Sequence, residues 1–173
     1  YDQLLNFISK DKLMIGICNG CQILINLGII PEASTKEPEV ALIENNTGSY
    51  ECRWVDVKVT NKSSPWLSNI TTLHLPVAHQ EGKFMIPNNI NNNYIGLQYI
   101  NNKRLAKGKF PYNPNGSQND IAALTNKYGN VLAMMPHPER ALYHYHVPNW
   151  QNDIFKKYGD GYKIFVNAKN YFK

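Results

Sequence analysis

Gly16-Ile17-Cys18-Asn19-Gly20-Cys21-Gln22 follows an apolar run, Leu13-Met14-Ile15, and precedes an amphipathic one, Ile23-Leu24-Ile25-Asn26-Leu27, that stops at Gly28. The periodicity predicts a strand, a very tight turn and a helix. G-x-C-x-G is the cysteine form of the nucleophile elbow. Glycines on either side of Cys18 let strand and helix approach closely, and the turn lifts the thiol clear of the sheet. The thiol then sits at a helix N-terminus, where the dipole favours thiolate and free backbone N–H groups can stabilise an oxyanion. Two other readings of the same residues stand beside this one: an inert buried cysteine in a glycine-rich turn, and Cys18-Asn19-Gly20-Cys21 as a redox or metal C-x-x-C. A zinc site would need two further ligands, and the third cysteine, Cys52, stands alone.

A second informative stretch lies near the other end. The apolar run Val131-Leu132-Ala133-Met134-Met135 delivers Pro136-His137-Pro138-Glu139-Arg140. The prolines keep the segment extended, so His137 and Glu139, two residues apart, share a face. A cysteine nucleophile needs a base, and the base needs an orienting acceptor. Cys18, His137 and Glu139 supply the three roles.

With these residues in hand, the chain resembles the class I (triad) glutamine amidotransferases, and among them the glutaminase part of phosphoribosylformylglycinamidine synthases. The elbow, with Asn19 directly after the cysteine, is similar to that family's G-[IV]-C-N-G-x-Q. Ala78-His79-Gln80-Glu81-Gly82-Lys83-Phe84 resembles its A-H-G-E-G element, with Gln80 in place of glycine. Asn113-Pro114-Asn115-Gly116-Ser117 resembles its N-P-N-G-S turn, and Met134 to Ala141 its M-M-P-H-P-E-R element. The four occur in the family's order and span most of the chain.

The resemblance implies hydrolysis of glutamine through a thioester on Cys18, with His137 and Glu139 as base and orienter. It implies the N–H of Asn19 as an oxyanion donor. It also implies Gln22, His79, Asn115, Gly116 and Ser117 as glutamine-pocket or synthase-contact residues, each with a packing alternative. The expected partner is a synthase subunit or domain that uses the ammonia in purine biosynthesis. ATP and Mg are expected on that partner, since nothing like a P-loop occurs here. No cofactor or metal is expected in this domain; His144 and His146 lack a third ligand nearby. Only Tyr1–Lys12 precede the first strand and residue 1 is not Met, so residues 1–173 are expected to be one domain, incomplete at its N-terminus. The alternatives are a glutaminase of another class I amidotransferase or γ-glutamyl hydrolase, and a non-catalytic interaction domain of the same fold.

Composition agrees with a single domain. The chain has 173 residues, 43% of them hydrophobic, enough for a core. Net charge is +5, from 18 basic and 13 acidic residues, but the basic residues are scattered. Lys103-Arg104…Lys107…Lys109, the densest group, reads as a solvated loop, so no nucleic acid is expected. No membrane span or signal peptide is visible, and three cysteines do not suggest a disulfide framework. A cytoplasmic setting follows.

Further elements are expected as follows. Residues 2–9 form a helix, 31–47 an irregular connection, and 53–59 a strand with its valines on one face. Ser64 caps a short helix begun by Pro65. Residues 73–78 form a strand placed at an edge by Pro76, and 88–93 a polar loop. Strands cover 94–100 and 121–125, with a hairpin turn at 128–130 and a closing amphipathic helix at 161–172. The fold class expected is α/β: a three-layer sandwich around a central, mostly parallel sheet, with the site at the strand C-termini.

Overall fold

A computed structural model describes residues 1–33 and 38–173. The helices are α1 (Asp2–Ser9), α2 (Asn19–Asn26) and α3 (Gly161–Tyr171). The strands are β1 (Met14–Ile17), β2 (Ala41–Glu44), β3 (Glu51–Val59), β4 (Thr72–His79), β5 (Glu81–Met85), β6 (Ile95–Asn101), β7 (Arg104–Leu105), β8 (Ile121–Thr125) and β9 (Val131–Met134).

The main sheet runs β1-β9-β8-β6-β3-β4, with β7 paired to β6. It separates two apolar clusters. One face carries Val55, Val57 and Val59 of β3 and Leu132 and Met134 of β9, covered by Ile164 and Ala168 of α3. The other carries Val131 and Ala133, covered by Ile8 of α1, Cys21, Leu24 and Ile25 of α2, and Phe84 of β5. The α/β class and three layers are as expected. The mostly parallel sheet is not: among the described residues only β1 and β9 pair in parallel, Met14 opposite Val131 and Ile17 opposite Met134. The pairings β3–β4, β3–β6, β6–β8 and β8–β9 are antiparallel. The reason lies in the connections: β8 and β9 are joined by the short turn 126–130, and the 60–71 connection between β3 and β4 carries only the single helical turn at Pro65–Leu67, with no helix to cross the sheet as a parallel pair needs.

Several local expectations change in detail. β2 and β5 form a separate two-stranded sheet, so part of the 31–47 connection is a strand; its residues 34–37 lie outside the described residues. Ser64 does not cap the turn at Pro65–Leu67; its hydroxyl donates instead to Gly129 O at 2.7 Å. Phe172 lies past the end of α3 and is exposed, with the Lys12 ammonium over its ring. Pro76 does stand on the terminal strand of the sheet, as its missing N–H requires.

The elbow depends on one of its two glycines. A Cβ on Gly16 would come within 2.5 Å of Gly20 O and 2.6 Å of Leu24 Cδ1, so β1 and α2 touch there. A Cβ on Gly20 would meet nothing within 4 Å, so close approach does not require that glycine. Gly16→Ala is therefore expected to destabilise the protein by about 1–3 kcal/mol or more. Gly20→Ala, in the first turn of a helix, should be neutral or stabilising by up to about 1 kcal/mol. Chemical denaturation of the two variants checks the contrast; equal effects would contradict it.

Candidate active site

Cys18 sits between β1 and α2 with φ 51° and ψ −106°, a strained backbone for a residue with a Cβ. The strain is held by the β1–β9 pairing below, including Cys18 N–H donating to Met134 O at 2.9 Å, and by the start of α2 above. Asn19 opens α2. Among the described residues no backbone carbonyl takes up its N–H, which leaves that donor free beside the thiol.

His137 arrives from the other side. After β9 the chain runs on until His137 N–H donates to Pro76 O at 2.8 Å. The sheet thus curls until the continuation of β9 reaches the far edge strand, β4. Two residues further along that strand, Ala78 O is 3.7 Å from Cys18 Sγ, which can donate to it. His137 Nδ1 lies 2.6 Å from Glu139 Oε1, and Arg140 Nε is 3.6 Å from the same oxygen. His137 Nε2 is buried and has no hydrogen-bond partner.

These groups enclose a cavity of about 590 Å³. Cys18, Asn19, Gln22, Tyr50, His79, His137 and Arg140 are on its wall, with Gln80 and Glu81 of the β4–β5 corner. Gln22 Nε2 donates to Glu81 O at 2.9 Å, tying α2 to β5. Gln80, where the resembled motif has glycine, is not in the left-handed region, so a side chain fits; its amide donates to Glu44 Oε1 at 3.2 Å.

Asn115, Gly116 and Ser117 are not on this wall. Gly116 and Ser117 border a separate hollow of about 650 Å³, and Asn115 is fully buried. The turn acts through hydrogen bonds. Asn115 Nδ2 donates to Gly82 O at 2.8 Å, and Ser117 Oγ accepts from Phe84 N–H at 3.0 Å. Turn-forming chemistry accounts for these positions without ligand contact. His144 Nε2 donates to Trp150 O at 3.0 Å, and among the described residues no group of three His, Cys, Asp or Glu side chains could hold a metal. Sequence reasoning passes over Arg140 and Tyr50 as wall residues. Arg140 has a signal, its place directly after Glu139; Tyr50 has none.

The two cavity histidines are driven in opposite directions. Burial pulls the His137 imidazole down, but the Cys18 side chain and the Glu139 carboxylate outweigh it and hold the pKa at about 9. For Glu139 itself burial acts upward, yet the bond to His137 leaves its pKa below the ordinary value. His79 lacks such a partner: burial, and the charge of His137, bring it down to about 4.

The CobB/CobQ-like glutamine amidotransferase domain model matches residues 1–172. The chain belongs to that family. The phosphoribosylformylglycinamidine synthase subunit PurQ of Methanococcus maripaludis is 37% identical over 190 residues, covering 99% of this chain and 70% of that one. The same subunit of Dehalococcoides mccartyi is 38% identical over 169 residues, 96% of this chain and 66% of the other. Among solved structures, one described as the structure of PurLQS from Thermotoga maritima has a chain with TM-score 0.74 and 30% identity, covering 98% of this chain and 66% of its own length. The chain thus spans 66–70% of the length of these three relatives.

The pKa directions fix a pH response. His137 lies above its ordinary value of 6.5, so its pairing stabilises the fold fully below about pH 6.5 and the contribution is lost as pH rises through about 9. His79 lies below the same ordinary value, so stability is lost as pH falls from about 6.5 toward about 4, where only the unfolded chain takes the proton. Nuclear magnetic resonance titration is expected to show one histidine with its midpoint near 9, moved down in Glu139→Gln, and another still neutral at pH 5, absent in His79→Gln. A His137 midpoint at or below 6.5 would contradict the arrangement.

Proposed function

We propose that the chain is a glutaminase. It hydrolyses the side-chain amide of glutamine to glutamate and hands the ammonia to a synthase partner, which converts formylglycinamide ribonucleotide to formylglycinamidine ribonucleotide in purine biosynthesis. The observation that carries the reading is the meeting of Cys18 and His137 at one cavity, with Glu139 bonded to His137 Nδ1 and the free Asn19 N–H beside the thiol. The names of the relatives support the acceptor half.

The chemistry runs in two halves. In the reacting form His137 Nε2 already carries the proton, and the Cys18 thiolate sulfur bonds to the carboxamide carbon of glutamine. The carbonyl oxygen becomes an oxyanion that the Asn19 N–H stabilises. The C–N bond then breaks, and the proton on His137 goes to the leaving nitrogen, giving ammonia and a γ-glutamyl thioester on Cys18. In the second half His137 takes a proton from water, whose oxygen attacks the thioester. Glutamate leaves as the C–S bond breaks, and the proton taken from water stays on His137 Nε2 opposite the released Cys18 thiolate. Glu139 bonds His137 Nδ1 throughout and stabilises the imidazolium that each half passes through.

ATP and Mg²⁺ belong to the partner in this reading, and the cytoplasm is the setting. Among the described residues no helix is long and apolar enough to cross a membrane.

A glutamine-mimicking electrophile should add once, on Cys18, in the presence of the partner. The adduct should be absent from Cys18→Ser and His137→Ala and retained in Cys21→Ser, as intact mass and peptide mapping would read. Cys18→Ser should lower glutamine hydrolysis by at least about 10³-fold. Labelling of another residue, or hydrolysis surviving in Cys18→Ser, would overturn the proposal.

A further inference from the structure

His79 is a buried histidine on the wall of the site, and the hydrolysis derived above gives it no step. Its surroundings are unusually determined. Asn115 Nδ2 lies 3.5 Å from His79 Nε2 and also donates to Gly82 O at 2.8 Å and to the Tyr99 hydroxyl at 3.3 Å. The orientation of that amide is fixed from its other end, because Asn115 Oδ1 accepts from Ser117 N–H at 3.0 Å and from Ser117 Oγ at 2.7 Å. The amide has two hydrogens for three neighbours, Gly82 O, the Tyr99 hydroxyl and His79 Nε2, while His79 Nδ1 is buried with no hydrogen-bond partner, so the ring is held by the Asn115 contact at Nε2 and by packing. The ring face is closed by Gly82: a Cβ on that residue would come within 2.5 Å of His79 Cε1 and Nδ1. The His79 carbonyl accepts from Asn45 Nδ2 at 2.9 Å, and the next carbonyl, Gln80 O, from Asn45 N–H at 2.8 Å.

The corner fixed in this way carries the backbone groups on which the site rests. Pro76 O holds the His137 backbone, Ala78 O faces the Cys18 thiol, and Glu81 O holds Gln22. We propose that His79 is a positioning residue, a neutral imidazole clamped between Asn115 and Gly82 that holds the β4–β5 corner in register with Cys18 and His137. It makes the 113–117 turn, which does not reach the cavity, part of the machinery at one remove. The proposal rests on the glutaminase reading for its kinetic test.

With the synthase partner present, His79→Ala should lower kcat for glutamine hydrolysis about tenfold or more, while KM changes less than about threefold. His79→Gln should recover most of the loss, because its amide oxygen can accept from Asn115. Asn115→Leu should reproduce the His79→Ala loss, and the double variant should be no slower than either single one. Wild-type kcat in His79→Ala, a defect confined to KM, or losses that multiply in the double variant would overturn the proposal. If His79→Ala does not fold, Asn115→Leu decides: a lowered kcat supports the clamp and an unchanged one overturns it. A wild-type protein that leaves glutamine intact with its partner present contradicts the proposed function instead. The clamp is then read from iodoacetamide alkylation of Cys18 against the exposed Cys52. His79→Ala should slow that alkylation about threefold or more; an unchanged ratio overturns the clamp.

Discussion

Pro76 O accepts the His137 N–H, and Ala78 O, two residues along the same edge strand, faces the Cys18 thiol. Nucleophile and base come from positions more than a hundred residues apart in the chain, and β4 is the strand that both touch. That meeting requires the sheet to curl until its first pair of strands, β1 and β9, nearly closes on its last strand. Antiparallel strands accommodate such a curl through their twist. Pro76 suits the role: it lacks an N–H, so the edge it occupies presents an acceptor to His137 with no competing donor from the same residue. The parallel pairing of β1 with β9 supplies the other half of the frame, since Cys18 follows β1 directly and His137 lies three residues past the end of β9.

Within this frame, electrostatics separates two histidines in one cavity. His137 has a carboxylate 2.6 Å from Nδ1, so its cation is stabilised although the ring is buried. His79 has an amide donor facing it and no carboxylate partner, so burial keeps it neutral. A second imidazolium beside His137 would compete for the charge that Glu139 compensates. Difference in partner, rather than in depth, therefore decides which ring carries protons and which holds the backbone.

The features legible in the sequence are those whose cause is local. The elbow is legible because a glycine at 16 and a cysteine at 18, set between a strand and a helix, fit few arrangements besides a tight turn that presents the thiol. His137 and Glu139 are legible as a pair from their spacing, but not by the extended segment expected of the prolines: Pro138 opens a 3-10 turn, Pro138–Ala141, and that turn brings the Glu139 carboxylate to His137 Nδ1. The face of Val55, Val57 and Val59 follows from alternation alone. What stays hidden is set by distant pairings. Strand direction depends on which strands become neighbours, and β1–β9 is parallel while the rest are antiparallel for reasons no window of sequence contains. β2 and β5 are short and, among the described residues, pair only with each other, so neither shows a strong period. The 113–117 turn carries side chains that act through buried amide bonds, and nothing in its composition distinguishes that from a lining of the pocket. Gly20 has no packing reason in this structure, although the motif singles it out.

The most direct test of the central claim, that the curled sheet brings Cys18 and His137 to a single glutamine site, is a crystal structure of the protein with its synthase partner after reaction with a glutamine-mimicking electrophile. The account predicts a covalent bond to Cys18 Sγ, the ligand oxygen within hydrogen-bond distance of the Asn19 N–H, and His137 Nε2 facing the reacting carbon, with Pro76 O still holding the His137 backbone. A ligand bonded elsewhere, or bonded to Cys18 with His137 turned away and its backbone released from β4, would contradict it.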